Sequence, residues 1–425
     1  MPEEAGLTGR GEKAPSTRRL LVSKLLDFNE WEKAKNETMN ISATPELERP
    51  AAHRRYSEEG LWTSETILFS GREFADALIS RIRRAMRSVR IESYIFERDE
   101  IGREVIHELK RAAARGVKVR VIVDAIGSPQ WDRAFVEELA QAGVRAQIFG
   151  SPRALLFSFF RLFLRGHWVL AYRIARKVQL RNHRKLAIFD ENEAIVGSAN
   201  IGRRFDEWRE TAVILRGPGV LRLRASFVRS WHFARGDRAV VEPWERTPRI
   251  RTNFLRRERR TTNRRYLSDV TTARQRIWIT TAYFNPGPRL VHALLSARRR
   301  GVDVRIVVPF RSDVSFFPWF SRAIFAGLVG RGLKVYEFEE TMQHAKSTLF
   351  DRRALVGSTN LNHRSYIHDL ELDVVLESSE GVETLERLFL ADCSRSIPLT
   401  PEAIRGYAPV AYAISFLLLP FKRWL

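Results

Sequence analysis

The chain has 425 residues, a formal charge of +22 and 44% hydrophobic content. Single hydrophobic cores stop growing at about 250 to 300 residues, so this length implies two domains, and the apolar content excludes a disordered chain. The charge demands a polyanionic partner, leaving nucleic acid, an anionic membrane surface and phosphate-bearing substrates open, while a single cysteine, Cys393, excludes an intrachain disulfide.

Residues 1–60 surround one apolar patch, Leu20 to Phe28, with polar and charged residues, and read as a loosely packed arm. Their start lacks the basic end and apolar run of a signal peptide. From Leu61 the pattern sharpens: Phe74, Ala75, Leu78, Ile79, Ile82 and Met86 recur at helical spacing, and Val89 to Phe96 follows as a strand. A second helix, roughly Gly102 to Arg115, stops at Gly116, and Val117 to Asp124 is a β-branched run typical of a buried strand. The same order then returns. Arg115 to Val123 (RGVKVRVIV) is answered by Arg300 to Val308 (RGVDVRIVV), and Ser93 to Phe96 by Thr281 to Phe284. The chain therefore reads as an internal duplication, with a first domain at 61–240 and a second at 262–400. Helices alternating with strands in each half predict an α/β fold with a mixed, mostly parallel sheet flanked by helices. Residues 241–261, with two prolines and a dense arginine cluster, read as a basic linker.

Ala154 to Arg165 places Ser158, Arg161 and Arg165 on one stripe of a helix otherwise rich in leucine and phenylalanine, and the chain stays basic and aromatic to Lys177. Phe316 to Leu328 is a second phenylalanine-rich segment. A single segment of this kind is an ordinary core helix. Two at equivalent places, each beginning about 28 residues before the histidine of its half's repeated motif, point to membrane-interface elements. Residues 401–425 form a third, amphipathic candidate, whose Val410 to Leu425 is too short to span and ends in Lys-Arg-Trp-Leu. No run of about 18 uninterrupted apolar residues predicts a transmembrane helix.

The repeated motif is His183-Arg-Lys185-Leu-Ala-Ile-Phe-Asp190, matched by His344-Ala-Lys346-Ser-Thr-Leu-Phe-Asp351. Each copy leads to a small-residue turn, Gly197-Ser198-Ala199-Asn200 or Gly357-Ser358-Thr359-Asn360, and then to a glutamate 27 residues beyond its histidine, Glu210 or Glu371. Alternate residues of a strand share a face, so each histidine and lysine are presented together to one phosphate, and the strand carries Asp190 and Asp351 to its end. Ser198, Asn200, Ser358 and Asn360 supply donors for phosphate oxygens. A carboxylate on one ring nitrogen orients an imidazole and raises the basicity of the other nitrogen, a role that suits Glu210 and Glu371. The pattern predicts a phosphodiester-cleaving site at a pseudo-twofold interface between the halves. One histidine attacks phosphorus, and the other protonates the departing alkoxide and then deprotonates the incoming alcohol. Lys185 and Lys346 neutralise the equatorial oxygens. No cluster has metal-ligand spacing, and this chemistry calls for neither metal nor cofactor.

The paired motifs resemble those of the phospholipase D superfamily, and over about residues 61–400 the chain is most similar to its bacterial cardiolipin synthase branch. Ser93-Tyr-Ile-Phe96, Trp208-Arg-Glu-Thr211, Tyr283-Phe-Asn-Pro286 and Asn360-Leu-Asn-His-Arg-Ser365 carry the resemblance beyond the core motif. It implies two phospholipase D-like α/β/α domains, with His183, Lys185, Asp190, His344, Lys346 and Asp351 as the catalytic set. It also implies a phosphohistidine intermediate and the joining of two phosphatidylglycerols with release of glycerol, without metal. His183 then matches the nucleophile and His344 the general acid/base, although the pseudo-symmetry allows the reverse. The implied setting is peripheral, on the cytoplasmic face of a bacterial inner membrane. Anionic phospholipid is the partner, attachment runs through 154–177, 316–328 and 410–425, and no nucleic acid is expected.

The sequence departs from the branch at two places. Residues 1–60 hold no counterpart of the two N-terminal transmembrane helices of its best-known members, and position 369, commonly asparagine, is aspartate. The first leaves attachment to the inserts, and the second bears on acceptor choice. Phospholipase D hydrolysis and other phosphatidyl transfers, such as phosphatidylserine synthesis, use the same residues and stay open. A superfamily nuclease and a non-catalytic binder of anionic membranes are weaker alternatives, because the aromatic inserts do not resemble base-stacking platforms and both motifs are intact.

Overall fold

A computed structural model describes residues 60–150, 164, 180–235, 247–314 and 317–418. The N-terminal arm, nearly all of the 154–177 insert, Phe316, residues 241–246 of the expected linker and the 419–425 end lie outside the described residues.

The first half runs β1 (Ser64–Ser70), α1 (Gly71–Arg84), β2 (Ser88–Ser93), α2 (Glu100–Ala114), β3 (Lys118–Asp124), α3 (Arg133–Gln141), β4 (Val144–Phe149), β5 (Leu186–Phe189), β6 (Glu193–Gly197), β7 (Arg209–Arg216) and α4 (Gly219–Arg235). The second runs β8 (Ile250–Thr252), α5 (Arg256–Thr272), β9 (Arg276–Thr280), α6 (Pro288–Arg299), β10 (Asp303–Pro309), α7 (Phe317–Val329), β11 (Lys334–Phe338), β12 (Ser347–Phe350), β13 (Arg353–Gly357), α8 (His363–Ile367), β14 (Leu372–Leu376), α9 (Ser379–Ser394), β15 (Ser396–Pro398) and α10 (Pro401–Leu418). Sheet order is β1-β7-β6-β5-β2-β3-β4 in the first and β15-β11-β10-β9-β12-β13-β14-β8 in the second. The duplication is therefore one of topology as well as sequence.

Both sheets are mixed, but the expectation of mostly parallel sheets is corrected. Only β2/β3, β3/β4, β9/β10 and β10/β11 pair in parallel among the described strands. Those are the strands joined by helical crossovers, whereas β5, β6 and β7 follow one another through short connections that reverse direction.

Local signals explain the helices. Ser70, Asp99 and Asp132 cap α1, α2 and α3 by accepting the N–H of Glu73, Gly102 and Phe135 at 3.1, 3.0 and 2.8 Å, each worth about 1 kcal/mol. The repeated Arg-Gly pair has a double use. Gly116 and Gly301 take the left-handed backbone (φ +87° and +89°) that ends α2 and α6. The arginines before them reach back to earlier carbonyls: Arg115 to those of Ile82, Arg83 and Ala85, and Arg300 to those of Val270 and Ala273.

Three cores result. One lies under α1, α2 and α3 and another under α5, α6 and α7. The third joins the sheets to each other, bringing Leu186, Ile188, Val196 and Val213 against Trp278, Leu349, Val356 and Val374. Leu186 and Ile188 face this central core while Ala187 and Phe189 face the outer one. Burial on both faces is why the motif strands are apolar throughout.

Two sequence expectations fail here. Residues 250–252 and 256–261 are not linker. β8 pairs with β14, and α5 buries Tyr266 and Val270, an i, i+4 pair hidden among arginines. Nor does α7 act as an interface helix: Phe317, Phe320, Phe325 and Leu328 are buried. Its Arg322 is held bidentate by Glu337 at 2.7 and 2.8 Å, within 5.0 and 5.4 Å of the Trp319 and Tyr407 rings. On α10, which packs on α7, Val410 and Leu417 remain exposed. Among the described residues no helix is long and apolar enough to cross a membrane.

Candidate active site

Each His-x-Lys segment is extended but stops short of its strand, because its backbone pairs across to the other half. The His183 N–H donates to the Leu370 carbonyl (3.0 Å) and the Leu370 N–H to the Arg181 carbonyl (2.8 Å). In mirror image, the His344 N–H donates to the Arg209 carbonyl (2.8 Å) and the Arg209 N–H to the Met342 carbonyl (3.0 Å). Leu370 and Arg209 immediately precede the two glutamates.

The dyads are consequently crossed. His183 Nδ1 meets Glu371 of the second half at 3.0 and 3.1 Å, and His344 Nδ1 meets Glu210 of the first half at 2.7 Å. Tyr94 packs edge-on to the His183 ring at 5.0 Å and Trp208 to the His344 ring at 5.2 Å, limiting ring rotation. Lys185 Nζ donates to the carbonyl of His183 (2.8 Å) and Lys346 Nζ to that of His344 (2.6 Å), so each ammonium stays beside its own histidine.

Ser198 and Ser358 do not present their hydroxyls to phosphate. Ser198 donates to Glu210 and accepts the Thr211 N–H at 2.9 Å, and Ser358 donates to Glu371 at 2.6 Å and accepts the Leu372 N–H at 3.0 Å. They orient the glutamates. Asn200 and Asn360 are buried beside them; Asn200 Oδ1 accepts the Ile95 N–H at 3.3 Å, and Asn360 Oδ1 has no hydrogen-bond partner among the described residues.

The motif aspartates lie at the opposite ends of β5 and β12, and the reading of them as catalytic is corrected. Asp190 and Asp351 adopt left-handed backbone (φ 49° in both), which aspartate tolerates better than most residues. Asp190 accepts the N–H groups of Met86, Arg87 and Ser88 at 2.9, 2.7 and 2.9 Å, and Asp351 those of Arg274, Gln275 and Arg276 at 3.1, 2.8 and 3.1 Å. Each pins the turn before the neighbouring strand. Asp351→Ala is expected to cost about 1–3 kcal/mol of stability and to leave kcat per folded molecule within about twofold, a split that melting curves and active-site titration measure.

Sequence reasoning missed several residues. Ser365 donates to Glu371 at 2.7 Å, and Asn253 Oδ1 accepts the Glu371 N–H at 2.6 Å. Ser365, Tyr94 and Trp208 sit inside the motifs that carry the family resemblance. Asn253 falls in the stretch read as linker, where no pattern marks it.

Burial dominates the electrostatics. It pushes both imidazoles below their ordinary value. For His183 the lysines and Arg364 push the same way, while for His344 Glu210 opposes the shift. Burial also brings Lys185 down to about 7 and Lys346 to about 8. Burial raises Glu371; Glu210, equally buried, is nonetheless held low by His344 and Lys346. Both lysines therefore titrate near neutrality, and a phosphate bound between them favours their charged forms. Among the described residues no group of three or more His, Cys, Asp or Glu is arranged to hold a metal ion.

Fold and site together define a class: a duplicated α/β protein with paired, crossed His–Glu dyads and two lysines at the interface between its halves. The family model described as cardiolipin synthase, PLD-like domain, matches residues 78–231 and 266–393. The chain belongs to this cardiolipin synthase-like family of the phospholipase D superfamily. It is 29% identical over 374 residues to a cardiolipin synthase of Geobacillus thermodenitrificans, covering 83% of this chain and 71% of that one. It is 30% identical over 353 residues to a probable cardiolipin synthase of Bacillus subtilis, covering 79% and 67%. Among solved structures, the phosphatidylserine synthase of Haemophilus influenzae shares the fold at a TM-score of 0.65 and 13% identity, covering 86% of this chain and 95% of that one. A polyphosphate kinase of Porphyromonas gingivalis does so at 0.55 and 14%, covering 86% and 53%.

Proposed function

We propose that this protein is a phosphatidyltransferase that joins two phosphatidylglycerols into cardiolipin and releases glycerol. The observation that carries the reading is the pair of crossed dyads, each with a lysine, buried in one interface. The Nδ1–H of His183 donates to Glu371, which leaves Nε2 free to attack phosphorus and form a P–N bond. As the P–O bond to glycerol breaks, His344, as imidazolium beside ionised Glu210, delivers its proton to the departing alkoxide. Neutral His344 then takes the proton of the second phosphatidylglycerol's hydroxyl. That oxygen displaces His183 from phosphorus. Lys185 and Lys346 balance the charge on the equatorial oxygens.

The assignment of His183 as nucleophile is supported by neighbours that disfavour its charged form, and that of His344 as acid by Glu210, which favours it. Family membership and the +22 charge support an anionic lipid as substrate. The exposed Val410 and Leu417 of α10 support peripheral attachment at an anionic membrane surface, for which the cytoplasmic face of a bacterial inner membrane is the natural setting. Purified protein given phosphatidylglycerol vesicles in a chelator is expected to release cardiolipin and glycerol in equal amounts. Phosphatidic acid as sole product establishes a hydrolase instead, and DNA cleavage without lipid turnover ends the lipid reading.

A further inference from the structure

We propose that Asp369 is a positioning residue that acts through Glu371 on His183 and makes the two sides of the site chemically unequal. The proposal rests on the reading that His183 reacts at phosphorus.

The two sides agree in their His-x-Lys segments, crossed dyads, serines and backbone exchange. They disagree two residues before the glutamate, where one side has Trp208 and the other Asp369. Residues 369 and 371 flank the bridge residue Leu370 and are fastened to the same side chain. Asn253 donates to the Asp369 carbonyl at 2.9 Å and accepts the Glu371 N–H at 2.6 Å. Asp369 is 4% exposed. One of its carboxylate oxygens faces Arg364 Nε at 3.0 Å, while the other is buried without a hydrogen-bond partner among the described residues.

Asp369 is faced by Arg364 and Glu371 from its own stretch, Asp124 from the end of β3, Arg259 from α5, and Tyr94 and Lys185 across the interface. Glu371 is faced by His183, Lys185, Arg184, Arg259, Lys346, Asp373, Ser358 and Ser365. Two buried carboxylates in this arrangement resist double ionisation. Both are raised, whereas Glu210, whose histidine packs on Trp208, is lowered. A proton on Glu371 removes the acceptor for His183 Nδ1–H and with it the tautomer that leaves Nε2 free. In the other direction, the Asp369 carboxylate helps keep Lys185 charged.

Removing the charge at 369 therefore has two consequences of the same sign. Glu371 stays ionised to lower pH, moving the acid limb of the rate profile down, and Lys185 loses its proton at lower pH, moving the alkaline limb down with it. The test is the pH–rate profile of full-length wild type, Asp369→Asn and Asp369→Glu with bis(p-nitrophenyl) phosphate, which needs chemistry at phosphorus but neither lipid nor acceptor specificity. Asp369→Asn is expected to shift both limbs down by about one pH unit, raising the ratio of rates at pH 6 and pH 8 by about tenfold or more. Asp369→Glu keeps the wild-type window. A superimposable Asp369→Asn profile overturns the proposal, as does an equal shift in Asp369→Glu. If the diester is not turned over, ¹⁵N NMR of histidine-labelled protein reads the pH at which the His183 tautomer changes; that pH falls in Asp369→Asn, and an unchanged value is equally fatal. Turnover of the diester without cardiolipin synthesis ends the cardiolipin-synthase reading alone.

Discussion

In His183→Ala we expect no covalent phosphoenzyme to be trapped from phosphorus-labelled phosphatidylglycerol and transfer to fall by at least about 10⁴-fold, the effect of removing a nucleophile so that only binding and charge stabilisation remain. His344→Ala is expected to behave differently. It loses turnover of the lipid to a similar extent, because a glycerol alkoxide is a poor leaving group without a proton. With bis(p-nitrophenyl) phosphate, whose leaving group needs none, the adduct on His183 still forms and accumulates. Denaturation and peptide mapping at alkaline pH, which preserve the acid-labile P–N bond, separate the outcomes. Label retained in His183→Ala but lost in His344→Ala reverses the two roles.

Glu371→Gln and Glu210→Gln are expected to lower kcat by about 10² to 10⁴-fold, the range for removing the carboxylate that fixes a catalytic imidazole. Their phenotypes cross over. Glu371 lies in the second half but holds His183, so Glu371→Gln fails to form the adduct, as His183→Ala does. Glu210 lies in the first half but holds His344, so Glu210→Gln forms the adduct with the activated diester and then stalls. Pairing within each half gives the opposite pattern, so one trapping experiment with both variants decides the connectivity.

The duplication and the residues of the site were legible because chemistry leaves letters behind: a histidine and a lysine two apart, written twice, need no alignment to find. The partnership of those residues was not legible. Both glutamates stand 27 positions from their own histidines, and that equality is the same whether pairing is within or between halves; only the backbone exchange at Leu370 and Arg209 resolves it. Asp190 and Asp351 mislead in the opposite way, since their recurrence reflects a turn that needs an acceptor for three N–H groups and a tolerated left-handed backbone, not a reaction. The arginines of α5 mask Tyr266 and Val270, too few apolar positions for a helical period to stand out. In α7 the phenylalanines belong to the core, and composition alone cannot distinguish a helix buried in protein from one lying on lipid.

The crossing of the dyads also governs when reactivity first arises. During synthesis Glu371 and His344 are made after His183, so until then His183 lacks the carboxylate that holds its Nδ1. On the proposed mechanism, a chain that stops short of Glu371 is expected to be inactive. On the proposed mechanism, the ability to open a phosphodiester therefore arises only once β14 has joined its sheet beside β13.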